Sequence, residues 1–115
     1  VDAKKYLQQI KKIDTLIKNK NIEAKQAEKM GVDSSYIKNS IRQLQKDRQD
    51  IIDDIQRLDE AEYDVLHKRY VQGKTLYEIA DERDISYSMV TTIHGRALKH
   101  FALIVESKPI PHYCR

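Results

Sequence analysis

Between Ser34 and Leu58 the apolar residues fall at Ile37, Ile41, Leu44, Ile51, Ile55 and Leu58, with Arg48 in the one gap. Steps that alternate between four and three residues gather on a single stripe of a helix, the pattern of a coiled-coil seam. The segment before it, Asp2 to Met30, repeats the pattern with Tyr6, Ile10, Ile13, Ile17, Ala24 and Ala27, and places Lys20 where another apolar residue is due. Met30-Gly31-Val32-Asp33-Ser34 breaks the two runs: Gly31 suits a left-handed position after one helix, and Asp33 or Ser34 suits the cap of the next. So short a break predicts an antiparallel helical hairpin, with Ile17 near Arg48 and Tyr6 near Leu58. Arg48 is then either a snorkelling side chain or a register device paired with an acid such as Asp14, and the register role is the better fit.

The remainder also reads as helix. A chain of 115 residues with only 3 Gly and 2 Pro favours helix over sheet and has room for one modest core. A third helix is expected from Asp59, which has capping spacing to Glu62, with Tyr63, Val65, Leu66 and Tyr70 inward and Gly73 as its end. Thr75 and Glu78 form a capping box for a short fourth helix over 76–83. Asp84-Ile85-Ser86 then make a turn, and Ser86 caps a fifth helix reaching about Val105. Pro109 and Pro111 end regular structure. The expected organisation is a hairpin over 1–58, a three-helix unit over 59–105 and a loose tail over 106–115.

Charge points to a partner by its distribution. The net charge is only +3, but residues 1–30 hold eight lysines against four acids, and Ser86 to Val105 hold no acid at all. An acid-free helix carrying Arg96 and Lys99 is the surface a phosphate backbone tolerates best. Enzyme chemistry finds no support: there is no phosphate-cradling Gly loop, no nucleophile elbow, and no carboxylate in an apolar or Gly-rich setting. His112 and Cys114 are suitable metal donors, but zinc needs about four ligands in fixed geometry and no second cluster has ligand spacing, so neither metal nor cofactor is expected. The single Cys, the lack of about 18 consecutive apolar residues and the lack of a leader suit a soluble protein of a reducing cytoplasm, without membrane contact.

Leu76 to Gly95 meets the physical demands of a helix-turn-helix. Two steeply crossing helices need a small residue at their closest approach, and Ala80 stands there. They need apolar residues to close the corner, and Ile79, Ile85, Val90 and Ile93 supply them. These constraints leave Ser86, Tyr87, Ser88, Thr91 and Thr92 for the outward face of the second helix, where short or planar polar groups reach base edges and thymine methyls in a major groove. The bland alternative is a solvated helix face. Arg96 and Lys99 lie further along as phosphate contacts, or as cations answering the helix dipole. Lys74 and Thr75 precede a helix N-terminus that can hold a backbone phosphate, or that is simply capped. Lysines of the first helix, including Lys11, Lys12 and Lys18, touch flanking DNA or form the wet side of a coiled coil.

Thr75-Leu76-Tyr77-Glu78-Ile79-Ala80, then Ile85-Ser86, Val90 and Arg96-Ala97-Leu98, resembles region 4 of sigma factors, and Arg69-Tyr70 before Gly73-Lys74-Thr75 adds to the likeness. Two positions depart from that pattern: Asp84 stands where the turn usually has Gly, and Arg83 where an apolar residue is usual, so the first helix is expected to be held less tightly. With the Ala3-Lys4-Lys5-Tyr6-Leu7 start, the charged hairpin and His94-Gly95-Arg96-Ala97-Leu98, most of 3–103 looks like phage regulators of the RinA/ArpU type. The resemblance implies sequence-specific binding of double-stranded DNA, activation of phage or prophage late genes, contact with RNA polymerase, and a place in the cytoplasm of a bacterial host at its nucleoid. A homodimer would lengthen the few base pairs that one helix-turn-helix reads. Two alternatives stay open: a protein-interaction module with weak DNA binding, and a repressor.

Overall fold

The computed structural model describes residues 1–108, and all regular structure among them is helical. The helices are α1 (Ala3–Lys29), α2 (Ser35–Ile55), α3 (Glu60–Leu66), α4 (Leu76–Arg83) and α5 (Tyr87–Glu106), and a π-helical turn, His67–Val71, continues α3. None of them is long and apolar enough to cross a membrane.

The hairpin forms as the apolar stepping requires. Asp2 caps α1 through its side chain, Gly31 takes a left-handed φ of 71°, and Asp33 Oδ1 accepts from the Ser35 amide at 3.0 Å to start α2. Arg48 donates from Nε to Asp14 Oδ1 at 2.7 Å, which fixes the register expected of it. One seam does not exhaust α1, however. Ala3 and Leu7 are buried as well, because near its N-terminus α1 packs on two neighbours, α2 on one side and the π turn with α5 on the other. Ile52 on α2 is buried beside Ile51 in the same way.

The main core therefore runs across both halves of the chain: Leu7, Ile10, Ile51, Ile55, Leu66, Ala97 and Phe101 form one cluster, with Tyr6, Ile17 and Leu58 packed against it. Tyr6 and Phe101 place their rings 5.8 Å apart, a tilted aromatic pair. A second cluster under the helix-turn-helix joins Val65, Ile79, Ala80, Val90 and Ile93, with Ala61, Leu76 and Ile85 at its edge. Of the stretch 106–115 read as a loose tail, Glu106 is the last residue of α5 and meets the amino group of Val1 at 2.9 Å, and Lys108 pairs with the buried Asp54. Pro109, Pro111, His112 and Cys114 lie outside the described residues.

Candidate nucleic-acid interface

The corner between α4 and α5 is built from local chemistry. Thr75 Oγ1 accepts from the Glu78 amide at 3.1 Å while Glu78 Oε1 accepts from the Thr75 amide at 3.3 Å, so the capping box closes in both directions. At the other end of α4, Asp84 takes a left-handed conformation (φ 55°, ψ 46°), a strain that a Gly would not bear. Ser86 Oγ then accepts from the Met89 amide at 3.0 Å and opens α5. Ala80 and Val90 are buried where the two helices meet.

Arg83 departs from the expectation of a loosely held α4. Its guanidinium reaches Asp64 Oδ2 at 2.7 Å and Glu60 Oε1 at 3.2 Å, tying α4 to α3 by charge where an apolar side chain would do it by packing. Burial raises the Asp64 carboxyl, but hydrogen bonds and charge from Arg83 and Lys68 outweigh it and hold the group below its ordinary value. Hydrogen bonds from Glu60 and Asp64 in turn raise Arg83.

Glu62 has capping spacing to Asp59, but its carboxylate does not complete a capping box. Asp59 makes the cap, accepting from the Glu62 amide at 2.9 Å. The Glu62 side chain turns inward to α5, where Arg96 Nε lies 2.8 Å from Oε2 and His100 Nδ1 lies 2.8 Å from Oε1. The Arg96 head is thus committed to a buried acid, although 48% of its side chain remains exposed. Lys74 is likewise drawn to Glu82 on α4. Two of the expected phosphate contacts therefore have an acidic partner within the chain, while Lys99 is exposed with no acid at ion-pair distance among the described residues.

The outward face of α5 carries Ser88, Thr91, Thr92, Gly95 and Lys99, all exposed. Thr91 and Thr92 hydroxyls donate back to the carbonyls of Tyr87 and Ser88 at 2.8 and 3.0 Å, which leaves their lone pairs and methyls turned outward. An added Cβ on Gly95 would meet nothing within 4 Å, so this Gly is not required by packing. Tyr87 is stacked on Tyr77 with ring centroids 4.1 Å apart and planes 12° from parallel, and both rings are exposed. Tyr77, Met89 and Gly95 belong to this surface and were missed in the sequence; the stack of Tyr77 on Tyr87 joins residues ten apart and leaves no local trace.

Behind the face, Tyr70 Oη and His94 Nε2 meet at 2.8 Å, joining the π turn to α5. Burial foremost, then the charges of Arg69 and Lys4, lower His94, and burial raises Tyr70. Both groups thus favour their neutral forms, and the imidazole tautomer sets which of the two donates. No group of three or more metal-binding side chains occurs among the described residues.

Residues 55–101 match the family model described as sigma-70, region 4. The C-terminal part of the chain is therefore similar to sigma-70 region 4, a helix-turn-helix associated with DNA binding in transcription and in general with RNA polymerase. No curated protein and no solved structure matches the chain.

Proposed function

We propose that the chain is a sequence-specific regulator of transcription that lays α5, from Ser86 to Lys99, into the major groove of double-stranded DNA. One observation carries this reading: the α4–α5 corner closes on Ile79, Ala80, Val90 and Ile93 and leaves Ser88, Thr91, Thr92 and Lys99 on an acid-free outward face of α5. Ser86 and Thr75 act as caps whose helix N-termini approach phosphates, Ser88, Thr91 and Thr92 read base edges, and Lys99 fixes register through the backbone. The chain is a binding protein in this reading and has no catalytic step. The resemblance to RinA/ArpU-type regulators supports a late-gene activator of a phage or prophage, working with RNA polymerase at the bacterial nucleoid. A second copy would pair through the hairpin tip, where Met30, Val32 and Tyr36 are exposed.

Selection from a randomised duplex pool, followed by anisotropy titration of the recovered sequences at two salt concentrations, tests the proposal. A consensus bound far above random DNA is the expected result, and its symmetry reports the number of copies bound. Binding without sequence preference would reject it. The internal pairing of Lys74 and Arg96 favours one rival, a protein-binding module with weak DNA contact. That rival predicts capture of RNA polymerase subunits by a chain that selects no consensus.

A further inference from the structure

Lys4, Lys11, Lys18 and Lys25 recur every seven residues along α1. Seven residues make almost two helical turns, so the four fall on one face, with a drift of about 20° per step on a straight helix. The helix is unbroken from Ala3 to Lys29, and the four lysines span about 32 Å at 1.5 Å per residue. Gln8, Thr15, Ile22 and Lys29 lie along that face, and two acids border it: Asp14, four residues before Lys18, and Glu28, three after Lys25.

The acids of α1 are spent elsewhere. Asp14 is paired with Arg48 and Glu28 with Lys38, both on α2 and at 2.7 and 2.6 Å. Glu23 precedes Lys25 by two residues, which sets it about 160° round the helix from the stripe. All four stripe lysines are exposed, and none has a carboxylate at ion-pair distance among the described residues. A solvated wet face of a coiled coil normally interleaves both signs of charge. Here the two bordering acids are each held by a cation of α2, which leaves the four lysines without an acidic partner.

Its position gives the stripe a direction. Lys4 shares a shallow cleft with Arg69, Thr75, Tyr77, Tyr87 and His94, beside the N-termini of α4 and α5, and Lys11 borders the neighbouring cleft with Arg69 and Gly73. Lys12, next in sequence, points the other way, into a cleft with Asp47 and Asp50 of α2. The stripe thus starts at the helix-turn-helix and leads away from it along the hairpin, outside the segment 55–101 that matches sigma-70, region 4.

We propose that this face of α1 is a second DNA-contacting surface, which follows the phosphates of the duplex flanking the sequence that α5 reads. The inference rests on the reading of α5 as a DNA-binding helix and extends it to a site of different chemistry, blind to sequence. A run of about 32 Å is close to one turn of duplex, roughly nine base pairs at 3.4 Å each, so a straight helix laid along it meets the backbones of both strands where they cross its path. Lysine suits the task, since a point charge on a flexible stem tolerates the drift of the stripe against the backbone.

The test uses the full chain and duplexes of the selected sequence, either trimmed to the core or extended by about ten base pairs of arbitrary sequence at one end or the other. Extension at one end should tighten binding and steepen its salt dependence. Lys11→Gln, Lys18→Gln and Lys25→Gln together should abolish that gain, flatten the log–log salt slope on the extended duplex by up to about 2.7, and leave binding to the core duplex close to wild type. Lys5→Gln, Lys12→Gln and Lys20→Gln together remove the same charge from other faces and should keep the gain. Equal losses in the two triple variants, or no gain on extension at either end, would overturn the stripe and leave the reading of α5 intact. Absence of binding to the core duplex by the wild-type chain would overturn both.

Discussion

Arg96 Nε on α5 and Glu62 Oε2 on α3 stand 2.8 Å apart, and the Glu62 carboxylate is almost entirely buried. The bond locks the rotation of α5 about its own axis, and hence decides which side chains face outward. A buried carboxylate with two cationic or potentially cationic neighbours loses most when its own charge is removed. Glu62→Gln should lower stability by about 1–3 kcal/mol in chemical denaturation, toward the lower end because Arg96 and His100 resolvate readily. A variant as stable as wild type would show that the cluster is not a lock.

Thr91→Ala with Thr92→Ala removes both outward methyl-hydroxyl groups and leaves the core untouched. We expect sequence preference to fall by about 1–3 kcal/mol per lost base contact, with binding to random duplex retained. Equal weakening on every sequence would deny direct readout by these two residues.

Gly95 lies in the middle of α5 with open space around it. Gly95→Ala should raise the stability of the free protein by about 0.5–1 kcal/mol through helix propensity alone. If the helix backbone lies against DNA here, the same variant binds the selected duplex more weakly. A more stable protein with unaltered affinity would move the DNA off this part of the helix.

Asp84 holds the turn at positive φ. Asp84→Gly should relieve the strain between Cβ and the backbone and stabilise the fold by about 0.5–1 kcal/mol, seen as a shifted denaturation midpoint. Asp84→Val should do the reverse, since a β-branched residue tolerates this conformation least.

Acid should expose the burial of His94. Its ring is held below the ordinary 6.5 by burial, then by Arg69 and Lys4. As pH falls through about 6.5 the unfolded chain takes up a proton that the native ring refuses, so stability present at neutral pH is lost on the acid side. His94→Gln should flatten this part of the stability–pH curve in denaturant titrations. An unchanged curve would assign it to other groups.

The helix-turn-helix was legible in the sequence because its signals are local. Thr75 and Glu78 cap within one turn, Asp84 and Ser86 define the corner, and Ala80 with Val90 mark where helices meet. The hairpin register was legible for another reason: two periodic seams joined by a short break can align in only one way, which brings Arg48 to Asp14 across 34 residues. What the sequence hid depends on distant partners. Leu7 and Ala3 lie off the single seam because α1 has a second neighbour that only the fold supplies. Glu62 looked like one more acid in a first turn, and its destination was settled by Arg96 and His100, more than thirty residues away. Lys74 was set aside for phosphate by its position, and Glu82 claims it first.

Phe101 and Ala97 share their core with Leu7 and Ile10, so the recognition helix is buttressed from behind by the hairpin. The stretch that can be recognised by its pattern is consequently shorter than the stretch that folds. Cut at residue 55, the reading head would lose its backing and present Leu66 and Phe101 to water. The hairpin is a buttress as much as an appendage: its Leu7, Ile10, Ile51 and Ile55 belong to the same body of side chains as Ala97 and Phe101 of α5.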